Sequence, residues 1–151
     1  MRFPYSRREV DPLPGESGLQ VIHEPIILVR FIGPNRSYLI RGLLDTGASL
    51  TLVPETYSSR LGVVSSDRGK LTSAGGPIGI SLAVLDLELS KGRTSFRWSA
   101  RVGFTPRADN LALLGHMGFV EHFTTTFNGQ FQYVNLRFNG IPSASKLSRR
   151  D

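Results

Sequence analysis

Glycine and proline interrupt this chain too often for any long helix: sixteen glycines and nine prolines fall in 151 residues. Proline breaks a helix interior by removing a donor and clashing with the preceding turn, and glycine weakens it. Short strands joined by turns fit between such breaks, so an all-β fold is expected. Ile26 to Ile32 (IILVRFI) reads as a strand closed by the turn Gly33-Pro34-Asn35, and Ser37 to Leu44 (SYLIRGLL) as its returning partner. Leu85-Asp86-Leu87-Glu88-Leu89 alternates with period 2, the mark of a half-buried strand. Lys91-Gly92-Arg93 then turns the chain into a further strand over 95–104. Asn128-Gly129, flanked by aromatic and apolar runs, predicts a closing hairpin with strands over 124–127 and 131–138. Helix is expected in two places only. One is a single turn over 54–61, ended by Gly62. The other is a short helix over 117–122, from the spacing of Leu114, Met117 and Val120.

The length suits one domain with a real core. Pro4, Pro12, Pro14, Gly15 and Gly18 make residues 1–20 an extended N-terminal arm without helix. Residues 21–140 are the folded domain, and 141–151 read as a flexible polar tail. The net charge of +6 comes from eighteen basic against twelve acidic residues, mostly arginines scattered from Arg2 to Arg150. Scatter of that kind describes a solvated basic surface, and no nucleic-acid partner is expected from it. Without cysteine, disulfides and thiolate metal sites are excluded. His23 stands alone, and His116 and His122, six apart, would point to different sides of one helix. The histidines therefore read as surface or packing residues, with no metal and no cofactor expected. No run approaches the roughly 18 apolar residues of a membrane span, and the N-terminus lacks the apolar core of a signal peptide. A soluble, cytoplasmic protein is the expectation.

Reactive chemistry concentrates in Leu43-Leu44-Asp45-Thr46-Gly47-Ala48-Ser49. A carboxylate directly after two large apolar residues is expected at the end of a buried strand, where burial disfavours its charged form and favours a shared proton. Thr46 brings a hydroxyl that can fix the loop, Gly47 lets backbone pass closely, and Ala48 and Ser49 leave room for a substrate chain. Asp-Thr-Gly alone is weak evidence, since it arises by chance in roughly one chain in ten or twenty of this length. An aspartate before glycine also commonly does no more than cap a turn. The surroundings add specificity. A glycine-rich hairpin centre follows at Ala74-Gly75-Gly76-Pro77, and then Leu113-Leu114-Gly115 before the expected short helix. Other constellations fail. Ser49 lacks the second glycine of a nucleophile elbow, and Gly75-Gly76 lacks the Lys-Ser/Thr of a phosphate loop. Trp98 reads as a strand residue rather than a base-stacking platform.

In that order, these elements resemble the retropepsin-like aspartic proteases, the family of retroviral proteases and their cellular and bacterial relatives, over about residues 21 to 138. The resemblance implies a closed, barrel-like protease lobe with one short C-terminal helix and a C-terminal β-hairpin. It makes Asp45 the catalytic aspartate and Thr46 the residue bonding two opposed loops. Ala74, Gly75, Gly76 and Pro77 would form the tip of a flap over the substrate. Leu113, Leu114 and Gly115 would pack beneath the catalytic loop. It further implies an aspartic endopeptidase working as a homodimer on a peptide or protein substrate. The chain holds only one such triplet, because Asp67-Arg68-Gly69 lacks the Thr or Ser. Departures are His116 where many relatives carry arginine, a longer N-terminal arm, and a hairpin continuing past the helix. That hairpin, over 123–138, is the expected shared dimer sheet through an unpaired edge. The alternative is a non-catalytic dimeric binding module for a protein or nucleic-acid partner. A third reading is a processing domain cut from a polyprotein.

Overall fold

The computed structural model describes residues 1–64, 67–73, 75–106 and 110–140. Ala74 and the polar tail over 141–151 lie outside the described residues. Strand makes up 62% of the described residues, which bears out the all-β expectation. In chain order the strands are β1 (Arg2–Pro4), β2 (Ser6–Val10), β3 (Gln20–Glu24), β4 (Ile26–Ile32), β5 (Ser37–Leu44) and β6 (Leu52–Pro54). After helix α1 (Thr56–Leu61) come β7 (Asp67–Ser73), β8 (Gly76–Lys91), β9 (Thr94–Thr105), β10 (Ala112–Leu114), β11 (Phe123–Asn128) and β12 (Tyr133–Phe138).

Seven strands form one sheet in the order β4-β5-β10-β6-β9-β8-β7, and β8 also pairs with β4. That extra pairing closes six strands into a ring, leaving β7 outside it. The period-2 residues point inward from several strands at once. Val29 and Phe31 of β4, Leu85, Leu87 and Leu89 of β8, and Trp98, Ala100 and Val102 of β9 are all buried. Arg30, Asp86 and Glu88 alternate with them and pair outside: Arg30 lies 3.6 Å from Glu88, and Arg97 lies 2.8 Å from Asp86. Hydrogen bonds from Ser99 and then Arg97 hold the Asp86 carboxyl below its usual range. Trp98 fills the barrel's end, its indole N–H donating to the Gly118 carbonyl at 2.9 Å, with Phe119, Phe123 and Phe138 around it. As expected, it is a strand residue.

The predicted hairpin of β4 and β5 forms in full register from Ile26↔Leu43 to Ile32↔Ser37. Helix α1 ends where expected, with Gly62 in the left-handed region at φ 74°. The expected C-terminal helix is a correction. Residues 120–122 make only a three-residue 3₁₀ turn, and the residues before it form β10. Met117 bonds Ser49 and Thr51 through its backbone and Gly118 has φ 94°, which keep 117–118 out of a helix. Before them β10 pairs parallel with β5 and antiparallel with β6. Gly42 makes room for it, since a Cβ there would lie 2.7 Å from Leu114 Cγ.

The closing hairpin exists, yet its turn lies later than Asn128-Gly129 suggests. Asn128 pairs with Tyr133 at the end of β11, and a four-residue loop follows in which Gln132, not Gly129, has positive φ. The Asn128 side chain accepts from the Phe131 N–H at 2.8 Å and so shapes the loop itself. The expected unpaired edge on the hairpin's last, aromatic strand is also a correction. β12 lies between β11 and β1, its outer edge taken by residues 2–4 of the N-terminal arm. Strand β2 of the arm pairs with β3, at the start of the domain, as a separate two-stranded ribbon. Among the described residues no helix is long and apolar enough to cross a membrane.

His122 sits in the core at 4% exposure, 5.5 Å from the Trp98 ring, its Nδ1 without a partner. Burial lowers its pKa below 6.5, against a weaker upward pull from Glu121. The unfolded chain thus binds a proton that the native core refuses. Stability should fall as pH drops through 6.5 towards the lower native value. Denaturant midpoints measured across that window should flatten in His122→Phe; an unchanged slope would contradict the burial argument.

Candidate functional site

Strand β5 delivers Asp45 to the barrel mouth, with Leu44 buried just before it. The Asp45 N–H donates to the Leu114 carbonyl at 3.2 Å, so β10 fixes where the strand ends. The chain then turns on its own aspartate. Gly47 N–H donates to Asp45 Oδ1 at 2.9 Å, and Ala48 N–H to the Asp45 carbonyl at 3.2 Å. The aspartate thus caps its turn with Oδ1 and leaves Oδ2 available. A Cβ on Gly47 would lie 3.2 Å from Oδ1, a tight contact against the carboxylate. The expectation of a buried carboxylate needs correcting for the single chain: Asp45 is only half-buried, and Thr46, Gly47 and Ser49 are exposed. The barrel covers the strand that ends at Leu44, not the loop beyond it.

Beneath the loop lies the Leu113-Leu114-Gly115 segment, with Leu113 also lining the cleft beside the loop. A Cβ on Gly115 would lie 2.5 Å from the Leu50 carbonyl oxygen and 2.8 Å from that of Ala48. Only glycine lets the two backbones meet. Just past it, His116 N–H donates to the Ala48 carbonyl and Met117 N–H to the Ser49 carbonyl, each at 2.9 Å. Two supporting residues escaped the sequence reading. Thr51 is fully buried; its Oγ1 accepts from Gly115 N–H at 3.2 Å, and its backbone bonds Met117 and Gly103. The signal was a lone hydroxyl inside the apolar run Leu50-Thr51-Leu52-Val53, since a buried polar group needs a partner. His116, read as a surface residue, places Nε2 3.0 Å from the Thr46 carbonyl oxygen.

A cleft of about 420 Å³ opens beside the loop. Asp45, Gly47, Ala48 and Ser49 line it; Thr46 does not. Its far wall is the β7–β8 hairpin, which contributes Leu71, Thr72 and Ile78. Ser73 pairs with Gly76 at the hairpin's end, Gly75 lies in the turn, and Gly76 has φ 97°. The segment expected as a flap belongs to this β7–β8 hairpin, which faces the Asp45 loop across the cleft. Its stem, rather than Gly75, Gly76 or Pro77, lines the cleft. Leu50, Leu52 and Ile80 make a small second core where the hairpin meets the barrel. Among the described residues Asp45 is the one acidic group lining the cleft, and no group of three His, Asp or Glu side chains could hold a metal ion. No protein-family model matches the chain, and none of the curated proteins matches it.

Replacing Gly115 by alanine should cost about 1–3 kcal/mol, because the methyl group strikes backbone that cannot rotate away. Gly79→Ala, whose Cβ meets nothing within 4 Å, is the control and should change stability by under about 0.5 kcal/mol. Urea denaturation of the two variants checks this; equal stabilities would show that the contact under the loop can relax.

Proposed function

We propose that this protein is an aspartic endopeptidase of the retropepsin-like type, each chain contributing one Asp45 to a homodimer. One observation carries the reading: a carboxylate on a tight, backbone-braced loop opens into a cleft walled by a projecting hairpin. The cleft holds a single acidic group among the described residues, whereas water activation on a carboxylate dyad needs two. A second copy supplies the other. Exposed Thr46, with exposed His116 and Met117 beside it, offers the surface where two loops would meet across a twofold axis. Contact through the edge of β12 is not part of this proposal, since β1 covers it.

Two carboxylates about 3 Å apart do not both ionise readily and hold one proton between them. The ionised member takes a proton from a bound water as its oxygen attacks the scissile carbonyl carbon. The protonated member donates a hydrogen bond to the carbonyl oxygen as charge develops there. Collapse of the tetrahedral adduct breaks the C–N bond, the leaving amine taking a proton from the dyad. The two titrations belong to the pair, and activity should favour acid to mildly acidic pH, where one proton is retained. Gly47 N–H steadies Oδ1 throughout, leaving Oδ2 to the water and the second carboxyl.

Asp45→Asn keeps the acceptor for Gly47 and should fold normally, while hydrolysis of a peptide library falls by at least about 10³-fold. Light scattering should give about twice the 16.6 kDa chain mass at micromolar concentration. Hydrolysis by the mutant at the wild-type rate would overturn the assignment of Asp45. A folded, dimeric wild type that cleaves no peptide would favour the binding-module alternative.

A further inference from the structure

Three carbonyls of the Asp45 loop accept hydrogen bonds from residues 116 and 117. Ala48 and Ser49 receive backbone N–H groups, which side-chain substitution does not remove. Thr46 alone receives a side chain, His116. A carbonyl oxygen only accepts, so Nε2 must carry the proton in this contact.

The Thr46 carbonyl and the Gly47 N–H belong to one peptide unit, which is planar and moves as a plate. Its oxygen faces His116 Nε2 at 3.0 Å, and its N–H donates to Asp45 Oδ1 at 2.9 Å. Turning the plate to release one end misaims the other. The two bonds also polarise each other in the same sense: withdrawing electron density at the oxygen makes the N–H a better donor. His116 itself is exposed and does not line the cleft, so it reaches the carboxylate only through this plate.

We propose that His116 is a positioning residue for Asp45, acting through the Thr46–Gly47 peptide unit. The structural part stands on these distances, and the kinetic part rests on the protease reading above. Two substitutions at this exposed position separate the role from general support. His116→Leu removes the donor, and His116→Gln restores an N–H at similar reach.

The direct readout is the Gly47 amide proton in ¹⁵N-labelled protein. It should move upfield in His116→Leu, the direction Asp45→Asn also moves it, and stay near the wild-type position in His116→Gln. In peptide hydrolysis, at concentrations where light scattering shows the variant fully dimeric, His116→Leu should lower kcat about tenfold, the worth of one hydrogen bond, with KM unchanged. His116→Gln should recover to within about threefold of wild type. An unmoved Gly47 amide in His116→Leu, or a glutamine variant as impaired as the leucine one, would overturn the proposal. A wild type without peptidase activity would overturn the protease reading instead, and the Gly47 amide would still decide the role of His116.

Discussion

Everything at the barrel mouth depends on β10 entering between β5 and β6 and on Gly115 following it. The insertion links the two halves of the ring, because β5 and β6 do not pair with each other. Gly115 then lets the chain pass against the carbonyls of Ala48 and Leu50 at a distance no side chain tolerates. Both ends of the Asp45 loop are thereby tied to one short segment, at Leu114 before it and at His116 and Met117 beyond. The loop is exposed but rests on a buried support.

That arrangement separates holding from reacting. The apolar core centred on Trp98 and the ring of β4, β8 and β9 secures the scaffold. The smaller cluster of Leu50, Leu52 and Ile80 joins the projecting hairpin to it. Backbone hydrogen bonds bear most of the geometry around Asp45, which is why residues as small as Gly47, Ala48 and Ser49 suffice there. Among the described residues side chains enter at three points: Asp45 itself, capping its own turn, Thr51, buried beneath Gly115, and His116, which bears on the plate that faces the carboxylate.

Strand pairing was legible wherever the pattern was local. The β4–β5 hairpin, the alternation of Leu85, Leu87 and Leu89, and the end of α1 at Gly62 each follow from neighbours in sequence. Features set by distant partners were not. Residues 117–119 look helical until the bonds of Met117 to Ser49 and Thr51 are seen, and β12 looks like an edge until β1 is placed beside it. At the site, the Asp45 loop and the projecting hairpin were readable from small-residue clusters. Half-burial of Asp45 was not, because an apolar run before a residue says where a strand lies and nothing of what covers the loop after it. The role of His116 depends on a contact seventy positions away in sequence and left no local trace.

The central claim is that chemistry needs one Asp45 from each of two chains, and subunit mixing tests it most directly. Wild-type chains and Asp45→Asn chains would be unfolded and refolded together at constant total concentration, with peptide hydrolysis followed against the wild-type fraction. If mixed dimers carrying a single aspartate are inactive, activity follows the square of that fraction, with about one quarter remaining at equal amounts. A linear dependence, with about one half remaining, would mean that each chain acts alone and would contradict the shared dyad.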